Sequence, residues 1–261
     1  MHLPRSSAGS GATVSFTPGL TIQFFDPQTG RMDPEWKLGP EYQDCSFRAD
    51  FRQIAVQCLD TGEGRRLEVL DTESREKLLS VGIPPALPQQ VADEELRFAI
   101  LMNTSPYQTI AGVHVVDLHE GRSRVLDATG MIVRRALFTA DGKELIVGGR
   151  FADSKHGILR TYSTADWSLL SEKQLPLGVI PGDMRFVTRS SASRGDAPAE
   201  FLTSCEDFRI RRINLKSLEV VAESQPFRFR LNAIDYSPTL GRVAAGLSDG
   251  QVLEFDVETL R

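Results

Sequence analysis

The side chains best suited to acid–base or metal chemistry in this sequence are polar residues that recur along the chain. Each follows an apolar residue and has another apolar residue four positions before it, as in VHVVD and VLEFD. The six are Asp26, Asp71, Asp117, Ser163, Asn214 and Asp256. A carboxylate can act as a general acid or base, but Asp, Asn and Ser also cap tight turns by accepting backbone N–H groups. Because these residue types recur regularly at one position, we interpret the series as turn caps.

Histidine and cysteine show no pattern typical of a metal site or a nucleophile. The histidines lack ligand spacing, and His114 alternates with apolar residues as an interior strand histidine does. Cys45, Cys58 and Cys205 form no CxxC pair and lie in apolar stretches, so we expect buried, reduced thiols in a cytoplasmic protein, with a nuclear location left open. Phosphate-binding and nucleophile-elbow motifs are missing from the sequence. We therefore expect no catalytic residue, no metal and no cofactor.

Composition and charge exclude several classes of protein. The 261 residues are 41% hydrophobic and 25% charged, as in ordinary globular proteins, and the net charge of −5 gives no reason to expect nucleic acid as a partner. No apolar run is long enough to cross a bilayer, and the first residues lack the apolar segment of a secretory signal. We therefore expect no membrane association.

The spacing of the six polar residues reveals an internal repeat. Their intervals are 45, 46, 46, 51 and 42 residues. Upstream of most of them lie two apolar runs joined by a turn, such as VRRALFTADGKELIVGG at 133–149, and downstream lies a further run, such as KLLSVG at 77–82. Short runs with turns about every ten residues and no helical period of 3.6 predict an all-β protein.

Four short antiparallel strands in each repeat predict a β-propeller. A sheet that is apolar on both faces buries both of them only between two neighbouring sheets, which a ring of sheets provides. The first copy lacks a convincing first strand and the last ends before its fourth, so we expect about six blades with the first and last incomplete, after a flexible lead-in at 1–11. The predicted blades span about 12–38, 42–82, 86–127, 133–175, 183–224 and 232–261.

These repeats resemble the WD40-repeat family from about residue 12 onward. The resemblance lies in FSPDG-like hairpins at 138–142 and 236–241 and in the segment SDGQVLEFD at 248–256. The repeats are degenerate, because no copy has the Gly-His pair or the Trp that precedes Asp in the family. The residues at that Trp position are Phe25, Leu70, Val116, Tyr162, Ile213 and Phe255. Lactonase-like and TolB-like propellers share the DGKxLxV hairpin, so the propeller is better defined than the subfamily.

Three interpretations of the incomplete first and last blades stay open. An open ring would leave unpaired strand edges, which proteins normally avoid. The chain belongs to a longer polypeptide with further blades, its amino-terminal residues supply an improvised strand, or a strand from a partner chain completes the ring. We favour the first, which predicts that the isolated 261 residues unfold at low denaturant concentration or self-associate.

The candidate binding surface lies on the loops of one propeller face, which precede the first strand or join the second and third. PFRFRL at 226–231 is the main candidate, because interleaved aromatic and guanidinium groups are enriched in protein interfaces. The alternative is an ordinary edge strand with phenylalanine inside and arginine in water. Two aromatic residues at loop tips are secondary candidates. The predicted partner-binding residues are Phe227, Arg228, Phe229, Arg230, Tyr107 and Phe151.

Function is predicted in two main classes. The first is a non-enzymatic WD40-like scaffold that presents this face to a protein or peptide partner, with an anionic peptide or phosphopeptide at the two arginines. The alternative is a lactonase-like enzyme with a divalent metal held by Asp44, Asp183 and Asp235 in the central channel. An accessory propeller of a larger multidomain protein is a third interpretation. The basic run IRRIN at 210–214 is expected to be a solvated or ion-paired blade edge rather than a nucleic-acid patch.

Overall fold

The computed structural model describes residues 11–15, 20–25, 29, 31–48, 50–60, 64–84, 89–93, 95–102, 113–128, 130–139, 141–151, 155–187 and 200–261. Within these ranges every regular element is a β-strand. No helix in them has the length and hydrophobicity to span a bilayer. The predicted lead-in lies outside the described residues except for Gly11, which begins the first strand.

The chain divides into two compact units, each with three sheets. The first comprises Met1–Leu101 and His114–Val125, and the second comprises Met102–Val113 and Leu126–Arg261. One terminal residue of each of three strands in the third sheet is assigned to the second unit, namely Met102, Val113 and Leu126. The strands of the first unit are β1 (Gly11–Ser15), β2 (Thr21–Phe25) and β3 (Trp36–Lys37) in sheet 1, β4 (Tyr42–Phe47), β5 (Gln53–Asp60), β6 (Gly64–Asp71) and β7 (Lys77–Ile83) in sheet 2, and β8 (Gln89–Ala92), β9 (Phe98–Met102), β10 (Val113–Asp117) and β11 (Arg122–Leu126) in sheet 3.

The second unit repeats the arrangement, with strands that follow chain order within each sheet. Its strands are β12 (Met131–Phe138), β13 (Glu144–Phe151), β14 (His156–Ser163) and β15 (Leu169–Leu177) in sheet 4, β16 (Pro181–Val187), β17 (Glu200–Cys205), β18 (Ile210–Asn214) and β19 (Val220–Glu223) in sheet 5, and β20 (Leu231–Ser237), β21 (Arg242–Leu247) and β22 (Val252–Asp256) in sheet 6. Within the described residues, the prediction of an all-β fold with six sheets is confirmed, and the first and last sheets have three strands each there.

Neighbouring sheets within a unit share one hydrophobic cluster. Between sheets 4 and 5, Ile146 and Leu159 pack with Phe201 and Ile213, and all four side chains are fully buried. Equivalent clusters lie between sheets 1 and 2, sheets 2 and 3, and sheets 5 and 6. Burying a large aliphatic or aromatic side chain stabilises a fold by about 1.5–3 kcal/mol. Alternate residues of the central strands therefore serve two cores, which explains why the strands read as nearly continuous apolar runs.

The polar residues that end the third strands cap the turns that follow them. The side-chain oxygen accepts the N–H of the residue two positions on, and four of the five described copies also accept the N–H three positions on. The main-chain carbonyl accepts the N–H four positions on, from a residue with φ between 53° and 66°. The five are Asp71, Asp117, Ser163, Asn214 and Asp256. The turn-cap interpretation is confirmed for these, and Asp26 lies outside the described residues.

Candidate functional site

The link from β19 to β20, residues 224–230, is the longest connection between successive sheets. It has seven residues, whereas the other four links have four, five, four and three. No strand forms in it, and only Leu231 of the PFRFRL segment belongs to β20. The alternative of an ordinary edge strand is therefore wrong as to the strand, but its placement of the phenylalanines inside and the arginines in water is confirmed. The segment is a loop at one end of sheets 5 and 6. Because consecutive strands run antiparallel, the links between sheets and the loops between second and third strands emerge at this same end.

Backbone hydrogen bonds hold this loop against both neighbouring loops. Phe227 N donates to the carbonyl of Phe208 at 2.8 Å, in the β17–β18 loop. The carbonyl of Arg230 accepts from Ser248 N at 2.9 Å, in the β21–β22 loop. At its start, Ser224 N donates to the Ile210 carbonyl at 2.9 Å. Three fixed points along seven residues hold the backbone in place, so the side chains between them keep a defined arrangement.

Side chains of the loop alternate between core and solvent. Phe227 and Phe229 are half-buried and pack against the cluster between sheets 5 and 6, and the Phe227 ring meets Phe255 edge-on with centroids 5.4 Å apart. Arg228 and Arg230 are exposed. The Arg228 guanidinium lies 5.4 Å from the centroid of Phe229, within the range of a cation–π interaction. Burial of the two rings therefore presents both guanidinium groups to solvent.

Arg228 and Arg230 differ from most of the described arginines of their unit in the partners they have. Within the described part of the chain neither forms an ion pair, whereas eight arginines of sheets 4–6 each pair with a carboxylate within 4.0 Å. Those eight are Arg134, Arg135, Arg160, Arg185, Arg209, Arg211, Arg212 and Arg242. An exposed guanidinium without an internal carboxylate keeps its N–H groups available for an external anion.

Phe208 adds apolar surface beside the loop and was missed from the sequence. Its side chain is 40% exposed, and its backbone has a φ of 63° in the β17–β18 turn. A large residue in the left-handed region is uncommon and is held here by the surrounding backbone bonds. The one signal in the sequence was an aromatic residue at the turn in EDFRI. Together, residues 226–231 and Phe208 form a surface that we call the Phe-Arg loop site.

The two secondary candidates do not join this site. Tyr107 lies outside the described residues. Phe151 was predicted at a loop tip from the sequence, but this residue is the last one of β13. It is half-buried and in register with Met131 of β12. It belongs to sheet 4, whereas the Phe-Arg loop site links sheets 5 and 6.

The basic run lies in β18, which is not a blade edge because β19 pairs with it, so the ion pairing expected for these arginines is confirmed and the edge position is wrong. Arg211 makes two parallel hydrogen bonds to Asp207 at 2.7 and 2.6 Å. Arg212 pairs with Glu200 at 3.2 Å and Glu258 at 2.6 Å. Both guanidinium side chains are less than a tenth exposed, so they connect strands and present no surface for a partner.

The carboxylates suggested for a channel metal are engaged elsewhere. Asp183 lies 2.9 Å from each of the Arg135 and Arg185 guanidinium groups, and it also accepts Ile234 N at 3.1 Å. Asp235 is 79% exposed and 3.4 Å from Arg185. Asp44 accepts the N–H of Cys45. Within the residues described, no group of three or more His, Cys, Asp or Glu side chains is placed to hold a metal ion.

Cys45 and Cys205 are thiols of low reactivity, and none of the three cysteines forms a disulfide in the described residues. Cys205 is buried as expected, whereas Cys45 and Cys58 are only half-buried. Burial raises the pKa of Cys45 to about 12 and that of Cys205 to about 11. Thiols with such pKa values are protonated at neutral pH, and the protonated form is a poor nucleophile. Burial also lowers the pKa of His114, which favours the uncharged form of this strand histidine.

Six antiparallel sheets in chain order, each packed on its neighbour within a unit, define this protein as a β-propeller. The β-propeller domain of Cps50 (Swd1) from Myceliophteria thermophila is similar to it, with a TM-score of 0.70 over 97% of this chain and 84% of that one. The two sequences are 16% identical, so the similarity shows the fold alone. No family model and no curated protein sequence matches the chain.

Proposed function

We propose that this chain is a non-enzymatic scaffold that binds a protein partner through the Phe-Arg loop site. The observation that carries the proposal is the exposure of Arg228 and Arg230 without an ion pair in the described residues, in a unit where eight arginines are ion-paired within the fold. Beside them, Phe208 and Phe229 offer aromatic surface. Arginine and aromatic residues dominate the binding energy of many interfaces.

The partner segment is an anionic peptide or phosphopeptide. Two guanidinium groups two residues apart on a fixed backbone match a pair of carboxylates or one phosphate, since each guanidinium can donate two parallel hydrogen bonds to such a group. The arginines carry positive charge on a chain whose net charge is −5. Acidic surface elsewhere repels an anionic peptide from wrong sites, which adds specificity.

The degenerate repeats support a place among WD40-like propellers, whose hairpins and capped turns they share. Thr139 and Asp141 hydrogen-bond within the β12–β13 hairpin, where the resemblance is strongest. We assign the protein to the cytoplasm, with a nuclear location also open, because its three cysteines are free thiols. Tyr107 and Phe151 remain secondary candidates for partner contact.

Binding to an array of acidic, phosphorylated and neutral peptides tests the proposal, with affinities of the hits measured by fluorescence polarisation. We expect Arg228→Ala/Arg230→Ala to weaken the best anionic peptide roughly 100-fold, which corresponds to about 1.4 kcal/mol for each arginine. The matched control is Arg122→Ala/Arg124→Ala on the exposed part of β11, which removes the same two charges from another sheet. It should leave affinity within about two-fold, because it removes no guanidinium group of the Phe-Arg loop site.

Two results would refute the proposed function. Equal loss in both double variants would mean that net charge alone attracts the peptides. Binding of neutral peptides with unchanged affinity in Arg228→Ala/Arg230→Ala would place the partner elsewhere. Turnover of a substrate by purified protein with stoichiometric metal would instead favour the enzyme alternative.

A further inference from the structure

Phe208 occupies a position in its turn at which the neighbouring sheet has glycine. In the β17–β18 turn Phe208 N donates to the Cys205 carbonyl at 3.0 Å, and in the β21–β22 turn Gly250 N donates to the corresponding carbonyl, that of Leu247, at 3.1 Å. In both turns the residue that accepts this bond also donates its own N–H to the residue after the positive-φ position, at 2.9 and 2.8 Å. The φ angles of Phe208 and Gly250 are 63° and 87°. Glycine is favoured in this left-handed region because it has no Cβ, so the turn geometry favours glycine where the chain has phenylalanine.

Burial does not explain this phenylalanine as it explains the other large apolar residues with positive φ in the described chain. Phe51 and Trp167 are half-buried. Three more are at most 4% exposed and belong to hydrophobic clusters between sheets, namely Leu96, Leu218 and Leu260. Phe208 is 40% exposed, so burial offsets its conformational cost the least. A disfavoured backbone conformation that the core does not require is typical of a functional position.

The turn holds Phe208 beside the arginines of the Phe-Arg loop site. The Phe208 carbonyl accepts Phe227 N at 2.8 Å, and Arg228 follows Phe227 directly in the chain. Standard backbone dimensions then put the Cα atoms of Phe208 and Arg228 no more than about 10 Å apart, which an extended peptide covers in about three residues. A bound segment can therefore contact the exposed ring and a guanidinium group at the same time.

We propose that Phe208 determines the specificity of the Phe-Arg loop site by binding an aliphatic or aromatic residue of the partner segment, two or three positions from its anionic residue. This inference rests on the proposed function, because the arginines bind the anion. An anionic segment without the apolar residue is held by charge alone, an attraction that salt screens. Burial of an apolar side chain on Phe208 adds a contact that is independent of charge, so it discriminates among anionic segments.

Two peptides of equal charge test the preference by nuclear magnetic resonance titration of the ¹⁵N-labelled full chain. The capped peptide Ser-Gly-Leu-Gly-Asp-Asp-Gly-Leu-Gly-Ser has leucine on both sides of its aspartates, so it serves either direction of binding. The second peptide has serine in place of both leucines. We expect the leucine peptide to bind about ten-fold more tightly, near the lower end expected for burial of one leucine. It should also shift the amide signals of residues 206–209, in addition to those of 227–230.

Two replacements of Phe208 separate binding from stability. Phe208→Gly should bring the affinities of the two peptides within about two-fold of each other, with the affinity for the serine peptide unchanged. Phe208→Ala should affect binding equally, since it also removes the ring. In urea denaturation Phe208→Gly should have the higher midpoint of the two, because alanine retains the disfavoured φ. The matched control Leu240→Ala removes another exposed apolar side chain of the same unit and should keep the leucine preference.

The outcomes distinguish failure of this inference from failure of the proposed function. A leucine preference that survives in Phe208→Gly, or no preference in the unmodified chain, overturns the role of Phe208 and leaves the arginine site standing. Unchanged affinity for both peptides in Arg228→Ala/Arg230→Ala refutes the proposed function, and so does the absence of binding by the unmodified chain; either result overturns this inference with it. A lower urea midpoint for Phe208→Gly than for Phe208→Ala would contradict the strained turn.

Discussion

Replacing Asn214 with alanine tests whether the polar residue after each third strand stabilises its turn. Asn214 Oδ1 accepts Lys216 N at 3.0 Å and Ser217 N at 2.9 Å. The turn then places Leu218, a buried residue, at a φ of 55°. Asn214 is the best copy for this test because its side chain is uncharged, so the substitution leaves the net charge of the protein unchanged.

The expected loss follows from those two hydrogen bonds. Each contributes about 0.5–1.5 kcal/mol net, and loss of a comparable cap at a helix start costs about 1 kcal/mol. The turn is partly open to water, which rehydrates the released N–H groups. We therefore expect Asn214→Ala to lower the free energy of unfolding by about 1–2 kcal/mol, which corresponds to a fall in Tm of about 2–8 °C for a chain of this size.

Urea denaturation followed by circular dichroism measures the change as a lower midpoint with an unchanged slope. Hydrogen exchange at the amides of Lys216 and Ser217 should accelerate in parallel. Asn214→Asp keeps the accepting oxygen and is the matched control, expected to stay within about 0.5 kcal/mol of the parent. The reasoning is wrong if Asn214→Asp is as damaging as Asn214→Ala, or if alanine has no effect.

Two further predictions concern buried charge and pH. Arg212→Ala leaves Glu200, whose side chain is 15% exposed, without its guanidinium partner and should lower the free energy of unfolding by about 3–5 kcal/mol, measured by urea denaturation. Glu258→Ala, at the 56% exposed end of the same cluster, should lower it by less than about 1 kcal/mol. Equal losses would contradict the assignment of Arg212 as a buried ion-pair partner. The pKa values of Cys45 and Cys205 are about 12 and about 11 in the folded chain, against about 8.5 for an unperturbed thiol, so their protonated forms favour folding. That stability is fully present below about pH 8.5 and is lost as pH rises toward 11, and Cys45→Ala/Cys205→Ala should flatten this decline in midpoints measured from pH 7 to 11.

Features that depend on local chemistry were predictable from the sequence. Asp71, Asn214 and Asp256 were interpreted as turn caps because a short polar side chain bonds the backbone two or three residues on, whatever lies elsewhere. The strands were predictable from short apolar runs separated by regularly spaced turns. The first and last sheets, which have three strands each in the described residues, correspond to gaps in that pattern.

Features that depend on contacts between distant segments were not predictable. Arg212 and Glu258 are 46 residues apart in sequence and meet only because sheets 5 and 6 are neighbours. Phe151 read as a loop residue, yet cross-strand pairing extends β13 to include it. Phe208 contributes exposed surface because one tight turn holds it at positive φ, which the residue type itself disfavours.

The repeat also indicates where function must be sought. A position that recurs from sheet to sheet serves the fold: in the described residues the capping residue bonds its turn, and the apolar residue four positions earlier is buried in every sheet except at Val252. Arginine occurs in both structural and non-structural positions. At Arg212 its side chain holds strands together, whereas Arg228 and Arg230 form no ion pair within the described residues. Departures from the repeat, such as the exposed side chains of Arg228 and Arg230 in the seven-residue link before β20, have no such structural role. Substitutions confined to them should therefore change binding at little cost in stability, whereas changes at repeated positions should do the reverse.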